Sequence, residues 1–215
     1  GLVMASDSIN PHLRQSAYVE MCHGVLVSNL AQALAKELGE GEEFCEKIAV
    51  AGLLHDLGKL HVAKYLYSDG REALAIEQKK YIHLHATYSY KSLCRANYPE
   101  EIAQAVYHHH ENYDGTGYPQ GLKGEAIPWM SRILRTCDVF CALTSDRSYR
   151  RAFDSQSAIQ IMIDEVADYD MRVFLAFQRF LHSEEYKNQD QLRTVITPLQ
   201  KQHLGLFIEE AESID

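Results

Sequence analysis

The sequence predicts a mainly α-helical domain, and two patterns carry that prediction. Apolar residues recur at the helical spacing i, i+3, i+4, i+7, most clearly at Val50, Leu53, Leu54 and Leu57. Alternation of apolar and polar residues, which would indicate strands, is almost absent before residue 190. The 215 residues, 46% of them apolar, are enough to bury a full core without disulfides.

The predicted helices follow one another along the chain. A first helix covers residues 16–38 and ends before Gly39, a residue suited to the left-handed position after a helix. A second helix covers 42–59, and two shorter helices fit the ragged pattern of 73–97. Residues 99–111 predict another helix, because a proline followed by two glutamates is typical of a helix start.

A glycine-rich loop then interrupts the helical pattern. Residues 112–128 contain four glycines and two prolines, and a loop of this length in a compact domain is usually functional. A helix with an apolar stripe follows over 128–143, and a short basic loop over 146–153 comes after it.

The last part of the chain has a weaker pattern. A helix that Ser155 can cap is predicted over 156–167, and a helix rich in Phe and Leu over 170–182. Residues 194–197 and 204–208 fit either a short β hairpin or helical ends. The predicted organisation is an N-terminal extension over 1–15, one domain over 16–182 and a C-terminal extension over 183–215.

Composition excludes several classes of protein. Lysine and arginine total 21 against 30 acidic residues, a net charge of −9, whereas proteins that bind extended nucleic acid or anionic membranes need a basic field. No run of 18 apolar residues occurs, and the first residues lack the features of a signal peptide. The five cysteines form no C-x-x-C pair. The expected location is therefore a reducing, cytoplasmic one, with no membrane span.

Histidine is the unusual feature of the composition, because seven of the 11 histidines fall between positions 55 and 110. His55 and Asp56 can present an imidazole and a carboxylate at one helix edge, which Lys59 shares three residues later. His109 and His110 stand directly before the glycine loop, where imidazoles could bind a metal ion. A lone histidine at a helix end is often only a hydrogen-bonded core residue, and a histidine run can be plain surface, so both interpretations stay open here.

Seven short segments between residues 55 and 150 form an ordered set of motifs. They are HDLGK at 55–59, HHENYDGTGYP at 109–119, GLKG at 121–124, IP at 127–128, RIL at 132–134, DVF at 138–140 and DRSYR at 146–150. Taken in order, these segments closely resemble the HD-GYP family of bacterial cyclic di-GMP phosphodiesterases. The similarity covers about residues 23–182.

The resemblance implies a helical bundle of the HD superfamily with a long GYP loop and two or three metal ions, usually iron or manganese. Such proteins hydrolyse cyclic di-GMP to linear pGpG and sometimes on to GMP. His85 is preferred to His83 as a ligand because Ser89 and Leu93 then match the small and aliphatic residues that the family has four and eight positions later. The metal ligands that the resemblance implies are His23, His55, Asp56, His85, His109, His110 and Asp138.

Five imidazoles and two carboxylates suit Fe, Mn, Co, Ni or Zn, with positions left open for water. Two cations about 3.5–4 Å apart lower the pKa of a bridging water, so that hydroxide is available as the nucleophile at neutral pH. Asp56 is expected to bridge the two ions, and Lys59 to neutralise charge on a phosphate oxygen. By resemblance, the residues that hold the phosphates and a guanine are Gly117, Tyr118, Arg147 and Arg150.

Two departures from the family pattern refine these expectations. Val19 stands where members with a third metal carry a glutamate, and the adjacent Glu20 points about 100° away, so two ions are expected. Residues 60–64, which are expected to border the substrate, also differ from the family pattern. Cys141 stands where the family often has aspartate, among the groups that are expected to orient a ligand. No position of the pattern involves His61, His83 or His108.

The resemblance further implies contacts between the GYP loop and GGDEF-domain proteins, and a homodimer is an additional expectation. Two other functions remain open at this point. One is a degenerate domain that binds cyclic di-GMP or a protein partner without turnover. The other is a general HD-type nucleotide phosphohydrolase, although such an enzyme would leave the GYP loop without a use.

Overall fold

The computed structural model describes residues 9–68, 80, 82–147, 150–187 and 195–214. These residues form helices and contain no strand, only an isolated bridge between Arg147 and Arg150. The helices are α1 Pro11–Glu37, α2 Glu42–Leu54, α3 Lys59–Ser68, α4 His85–Arg95, α5 Glu100–Tyr107, α6 Trp129–Leu143, α7 Ser155–Asp164, α8 Met171–Leu181, α9 Glu184–Lys187, α10 Pro198–His203 and α11 Gly205–Ile214. The predicted mainly helical fold is confirmed.

The long helix α1 is the centre of the bundle. It packs most extensively against α2, and it also contacts α3, α6, α8 and α11. The core around it contains fully buried large side chains, among them Leu34, Ile48, Phe177 and Phe207. Each such side chain stabilises the fold by about 1.5–3 kcal/mol through burial. A long, well-packed α1 therefore provides a rigid base for any group that it carries at its middle.

Helix α1 begins earlier than predicted. Its first residue is Pro11, and the Asn10 side chain accepts a hydrogen bond from the His12 amide at 2.8 Å, which caps the helix. Leu13 is buried in the core, although it lies in the segment predicted as an N-terminal extension. The division of the chain at residues 15 and 182 stays a prediction.

Three other predicted helix ends were wrong in detail. Helix α2 ends at Leu54, so residues 55–58 form a turn between α2 and α3, and the apolar pattern continues because this turn is itself buried. Helix α5 ends at Tyr107, so residues 108–110 also lie in a turn. Ser155 is the first residue of α7, and its predicted capping role belongs to Asp154, which accepts from the Ser157 amide at 2.7 Å. Both turns carry candidate ligands.

The C-terminal segment packs on the same bundle. Thr197 and Gln200 form a reciprocal capping box at the start of α10, and α11 contacts α1 and α3. The Gln200 amide also donates to Ser28 and Asn29 of α1, at 3.0 and 2.7 Å. Residues 204–208 therefore belong to helical structure, and the hairpin alternative was wrong there. Residue 194 and most of the predicted helical region 73–84 lie outside the described residues.

We find no helix among the described residues with the length and apolar character needed to cross a membrane.

Candidate metal centre

The structure brings together all seven candidate ligands, which come from five separate places in the chain. His23 lies in the middle of α1, His85 begins α4 and Asp138 lies in α6. The other four ligands lie in the two turns that follow α2 and α5. Six of the seven are buried and the seventh, His110, is half-buried.

The seven residues form two groups that share Asp56. The Asp138 group consists of His23, His55, Asp56 and Asp138. The His110 group consists of Asp56, His85, His109 and His110. Within each group the candidate ligand atoms all lie within 4.8 Å of one another. This is the arrangement of two neighbouring metal sites with a common carboxylate.

The two oxygens of Asp56 face different groups. Oδ2 lies 3.1 Å from His55 Nε2 and 3.6 Å from His23 Nε2. Oδ1 lies 3.2 Å from His85 Nε2 and 3.5 Å from His109 Nε2. Two ligands about 2.1 Å from one ion, at a right angle, are about 3 Å apart. The spacing therefore suits an ion on each side of Asp56.

Backbone hydrogen bonds fix the orientation of three imidazoles. The Nδ1–H groups of His55, His85 and His109 each donate to the carbonyl three residues earlier, at 2.6 Å for His55 and for His109. A hydrogen bond of this kind selects the tautomer in which Nε2 carries the lone pair. Nε2 of each imidazole thus faces Asp56 and is the ring atom left for a metal ion.

The position of His85 depends on the HDLGK motif. The amide of Gly58 donates to Ser89 Oγ at 2.7 Å, and a Cβ at position 58 would overlap the carbonyl of His85. Only glycine allows α4 to approach the α2–α3 turn so closely. Gly58 and Ser89 therefore hold His85 beside Asp56.

Three buried polar atoms in the His110 group have no hydrogen-bond partner: Asp56 Oδ1, His85 Nε2 and His109 Nε2. The histidine nitrogens already carry lone pairs, and each faces a carboxylate oxygen that also carries lone pairs. Such a contact is unfavourable in a buried site unless a cation lies between the atoms. The donor set, its burial and these unpaired atoms fit divalent metal ions.

The protonation states also suit metal binding. Burial disfavours ionisation of Asp56 and Asp138, but the neighbouring His55 charge and, for Asp56, Lys59 outweigh it and hold the pKa of each carboxyl well below its usual value. Burial lowers the pKa of His109 to about 4 and also lowers that of His110 well below its usual value. Anionic carboxylates and neutral imidazoles, the states of these four groups, are the forms that bind metals. Burial opposes a charge on His55, but Asp56 and Asp138 outweigh it and raise its pKa well above the usual value, so a metal ion would displace a proton there.

Lys59 and Glu20 lie at the edge of the Asp138 group. Lys59 Nζ is 3.0 Å from Asp56 Oδ2 and 4.0 Å from Glu20 Oε2. Burial opposes the charge on Lys59, but Asp56 and Glu20 outweigh it and raise its pKa above the usual value. The expectation that Glu20 is directed away from the site was wrong: its side chain is 13% exposed, whereas Val19 is 42% exposed. Glu20 lies three residues before His23 and so shares its helix face.

The glycine loop brings Tyr118 to the mouth of the site. The Tyr118 amide donates to the His110 carbonyl at 3.2 Å, and its ring stacks on His110 with centroids 4.9 Å apart. The ring also stacks on His83 at 4.1 Å. A Cβ at Gly117 would overlap the backbone of residues 110–112, so glycine permits this return of the loop.

Glu111 holds the loop in place, which the sequence analysis did not foresee. Its buried carboxylate accepts from the amides of Gln120 and Leu122, both at 3.1 Å. His108 Nδ1 lies 3.0 Å from the same carboxylate. Glu111 directly follows His109 and His110 and precedes the glycine loop, and this position is the sequence feature that could have predicted its role in holding the loop.

Arg150 is engaged away from the cluster. Its guanidinium donates to the carbonyls of Ala142 at 3.2 Å and Leu143 at 3.4 Å, at the end of α6, and lies over the Phe153 ring at 4.7 Å. Arg147 is half-buried and pairs with Arg150 through its backbone amide at 2.9 Å. Substrate binding by Arg147 and Arg150 stays a prediction, and residues 148 and 149 lie outside the described residues.

Comparisons with known proteins identify the family of this chain. A family model described as HD domain matches residues 4–173. A 3'3'-cGAMP-specific phosphodiesterase of Vibrio cholerae is 37% identical over 169 residues, 76% of this chain and 38% of its own. A cyclic di-GMP phosphodiesterase of Pseudomonas aeruginosa is 34% identical over 167 residues, 77% of this chain and 40% of its own. The chain thus spans about two fifths of the length of these relatives.

Solved structures share the fold at low sequence identity. A cyclic GMP-AMP-specific phosphodiesterase of V. cholerae superposes with a TM-score of 0.64 at 14% identity, over 94% of this chain and 60% of that one. The HD domain of the L. monocytogenes phosphodiesterase PgpH, in complex with cyclic-di-AMP, gives 0.58 at 15% identity, over 87% and 99%. The chain belongs to the HD domain family, and its motifs are those of the HD-GYP type.

Proposed function

We propose that this chain hydrolyses a cyclic dinucleotide, cyclic di-GMP in the first place, to linear pGpG with two divalent metal ions. The observation that carries the proposal is the pair of ligand groups that share Asp56. In the reaction, the oxygen of water bonds to phosphorus, the bond from phosphorus to the 3′-oxygen breaks, and that oxygen leaves with a proton. The names of the relatives from Pseudomonas and Vibrio support the substrate class.

The Asp138 group and the His110 group would hold one ion each, and iron or manganese suits this mixture of imidazole and carboxylate. When bound, two such ions polarise the phosphate and lower the pKa of water. Within the chain, Asp56 contributes one oxygen to each group and so fixes their separation.

Lys59 is the cation best placed to act on the phosphate. It belongs to neither ligand group, its ammonium lies 3.0 Å from Asp56, and its side chain is 34% exposed. A fixed positive charge directed at a developing oxyanion contributes about 3 kcal/mol to transition-state stabilisation. Lys59 can therefore neutralise charge on a nonbridging phosphate oxygen.

Substrate binding needs a local source of attraction because the chain carries a net charge of −9. The bound ions, Lys59 and Arg147 would supply positive charge, and the Tyr118 ring beside His110 would offer an aromatic face for a base. Arg150 would act mainly by holding the loop that carries Arg147. Partners of the GGDEF class and a homodimer remain additional proposals.

A second candidate substrate of the same class is 3'3'-cGAMP, because the Vibrio relative specific for it is 37% identical to this chain. The two substrates differ in one base, so the choice between them lies in the contacts of the GYP loop and not in the ligand groups. A domain that binds the dinucleotide without turnover is the alternative outcome.

The test is metal analysis and turnover on one sample purified without oxygen. We expect two Fe or Mn per chain and conversion of cyclic di-GMP to pGpG, which chromatography detects. The compounds 3'3'-cGAMP and a simple nucleotide diester are assayed in parallel as alternative substrates. Faster turnover of 3'3'-cGAMP would change the substrate within the class. Two ions per chain without hydrolysis of any cyclic dinucleotide would overturn the enzymatic proposal.

A further inference from the structure

Arg135 binds a candidate metal ligand from α6. Its Nε–H donates to Asn112 Oδ1 and its Nη1–H donates to His110 Nδ1, both at 3.1 Å. A guanidinium has donors and no acceptor, so His110 Nδ1 must supply a lone pair to this hydrogen bond. A neutral imidazole has one such lone pair, and the proton is therefore on Nε2.

His110 is thus arranged in the opposite way to the other tethered histidines. His55, His85 and His109 donate from Nδ1 to the backbone, which leaves Nε2 as the ring atom for a metal ion. His110 instead uses its Nδ1 lone pair to accept a hydrogen bond from Arg135. The Nδ1–backbone hydrogen bonds of these three histidines can persist when Nε2 binds an ion, whereas the Arg135–His110 hydrogen bond cannot.

An ion can bind His110 in two ways, and each breaks the bond to Arg135. An ion at Nδ1 takes the lone pair that Arg135 uses. An ion at Nε2 requires the proton to move to Nδ1, and a protonated Nδ1 cannot accept from a guanidinium. Ligation by His110 and the Arg135–His110 hydrogen bond therefore exclude each other.

Charge acts in the same direction. The Asp138 group contains two carboxylates, whereas the His110 group contains only the shared Asp56. The guanidinium of Arg135 adds a positive charge 3.1 Å from His110. Coulomb repulsion at this range in a largely buried site weakens cation binding.

We propose that Arg135 competes with a metal ion for His110, so that the ion of the His110 group is the more weakly held of the two. Arg135 is a positioning residue in this role: it sets the state of His110 and need not touch the substrate. The inference rests on the proposed two-metal centre and adds an order of affinity to it.

The experiment is a titration of the metal-free full chain with Mn²⁺, in which free Mn²⁺ is followed by its electron paramagnetic resonance signal. We expect two sites in the wild type, with dissociation constants that differ at least tenfold. Arg135→Met keeps the bulk and removes the charge and the donors, and it should tighten the weaker site about tenfold, the effect of losing one charge-assisted hydrogen bond that competes with the ion. The tighter site should change less than twofold.

Arg151→Met is the matched control, because it removes one positive charge from an exposed arginine that is not bonded to His110. It should leave both dissociation constants unchanged. If Arg135→Met does not fold, Asn112→Ala tests the same point: it removes the second anchor of the guanidinium and should tighten the weaker site by a smaller factor.

The side-chain ¹⁵N shifts of His110 in the metal-free protein give a separate readout. We expect a proton on Nε2 in the wild type and its loss from that fixed position in Arg135→Met. An unchanged or weakened second site in Arg135→Met would overturn the inference while leaving the two-metal proposal standing. A wild type that binds fewer than two ions at saturating Mn²⁺ would overturn the proposed function itself.

Discussion

Both the ligand cluster and the basic loop over 146–153 contain segments that carry the family resemblance, but their side chains are used differently. In the cluster, buried lone pairs converge on one another and three atoms are left without a hydrogen-bond partner. In the basic loop, the Arg150 guanidinium is bonded to carbonyls of α6 and stacked on Phe153. Unpaired buried atoms destabilise a fold and indicate a ligand, whereas satisfied ones indicate a structural role.

Asp56→Ala is expected to have the largest effect, because it removes the one ligand that both groups share. We expect loss of both ions and a fall in turnover of about 1,000-fold or more, beyond the 10- to 100-fold that follows loss of an outer partner. Metal analysis and hydrolysis of cyclic di-GMP on the same sample check this. Two ions per chain with normal turnover would contradict the assignment of the site.

His85→Ala separates the two groups, since His85 belongs to the His110 group alone. We expect one ion per chain in place of two, with the Asp138 group still occupied, and a large fall in turnover. His23→Ala is the matched variant on the other side. Loss of both ions in each single variant would mean that the two groups bind cooperatively and are not separable sites.

Glu111→Gln tests a residue that belongs structurally to the loop and not to the cluster. Its carboxylate accepts two backbone hydrogen bonds, so the amide should weaken the loop and lower the free energy of unfolding by about 1–3 kcal/mol. We expect normal metal content, a raised KM and faster proteolysis within residues 112–128. Urea denaturation and limited proteolysis measure these effects, and loss of metal would place Glu111 in the cluster instead.

The candidate ligands followed from the family resemblance, because histidine and aspartate stand at the positions of its motifs. A bridging role for Asp56 was expected, whereas the division of the other ligands into two groups was not, since it depends on contacts between α1, α4 and α6. Residues that act on the cluster through charge or hydrogen bonds were missed. Glu20 was expected to turn away, and Arg135 carries no signal at all, because an arginine between the apolar positions of a helix is normally a surface residue.

The smallest effects concern the basic loop, and a pair of substitutions divides its roles. Arg150→Ala should lower the free energy of unfolding by about 1–2 kcal/mol, because carbonyls at the end of α6 lose their donor, with metal content unchanged. Arg147→Ala should leave stability within about 0.5 kcal/mol of the wild type and raise KM for cyclic di-GMP. The two arginines lie three positions apart in a bridged pair, so each variant controls for the other. An equal rise in KM in both, without a stability difference, would show that Arg150 leaves α6 to bind substrate, and the contrast between cluster and loop would fail at that residue.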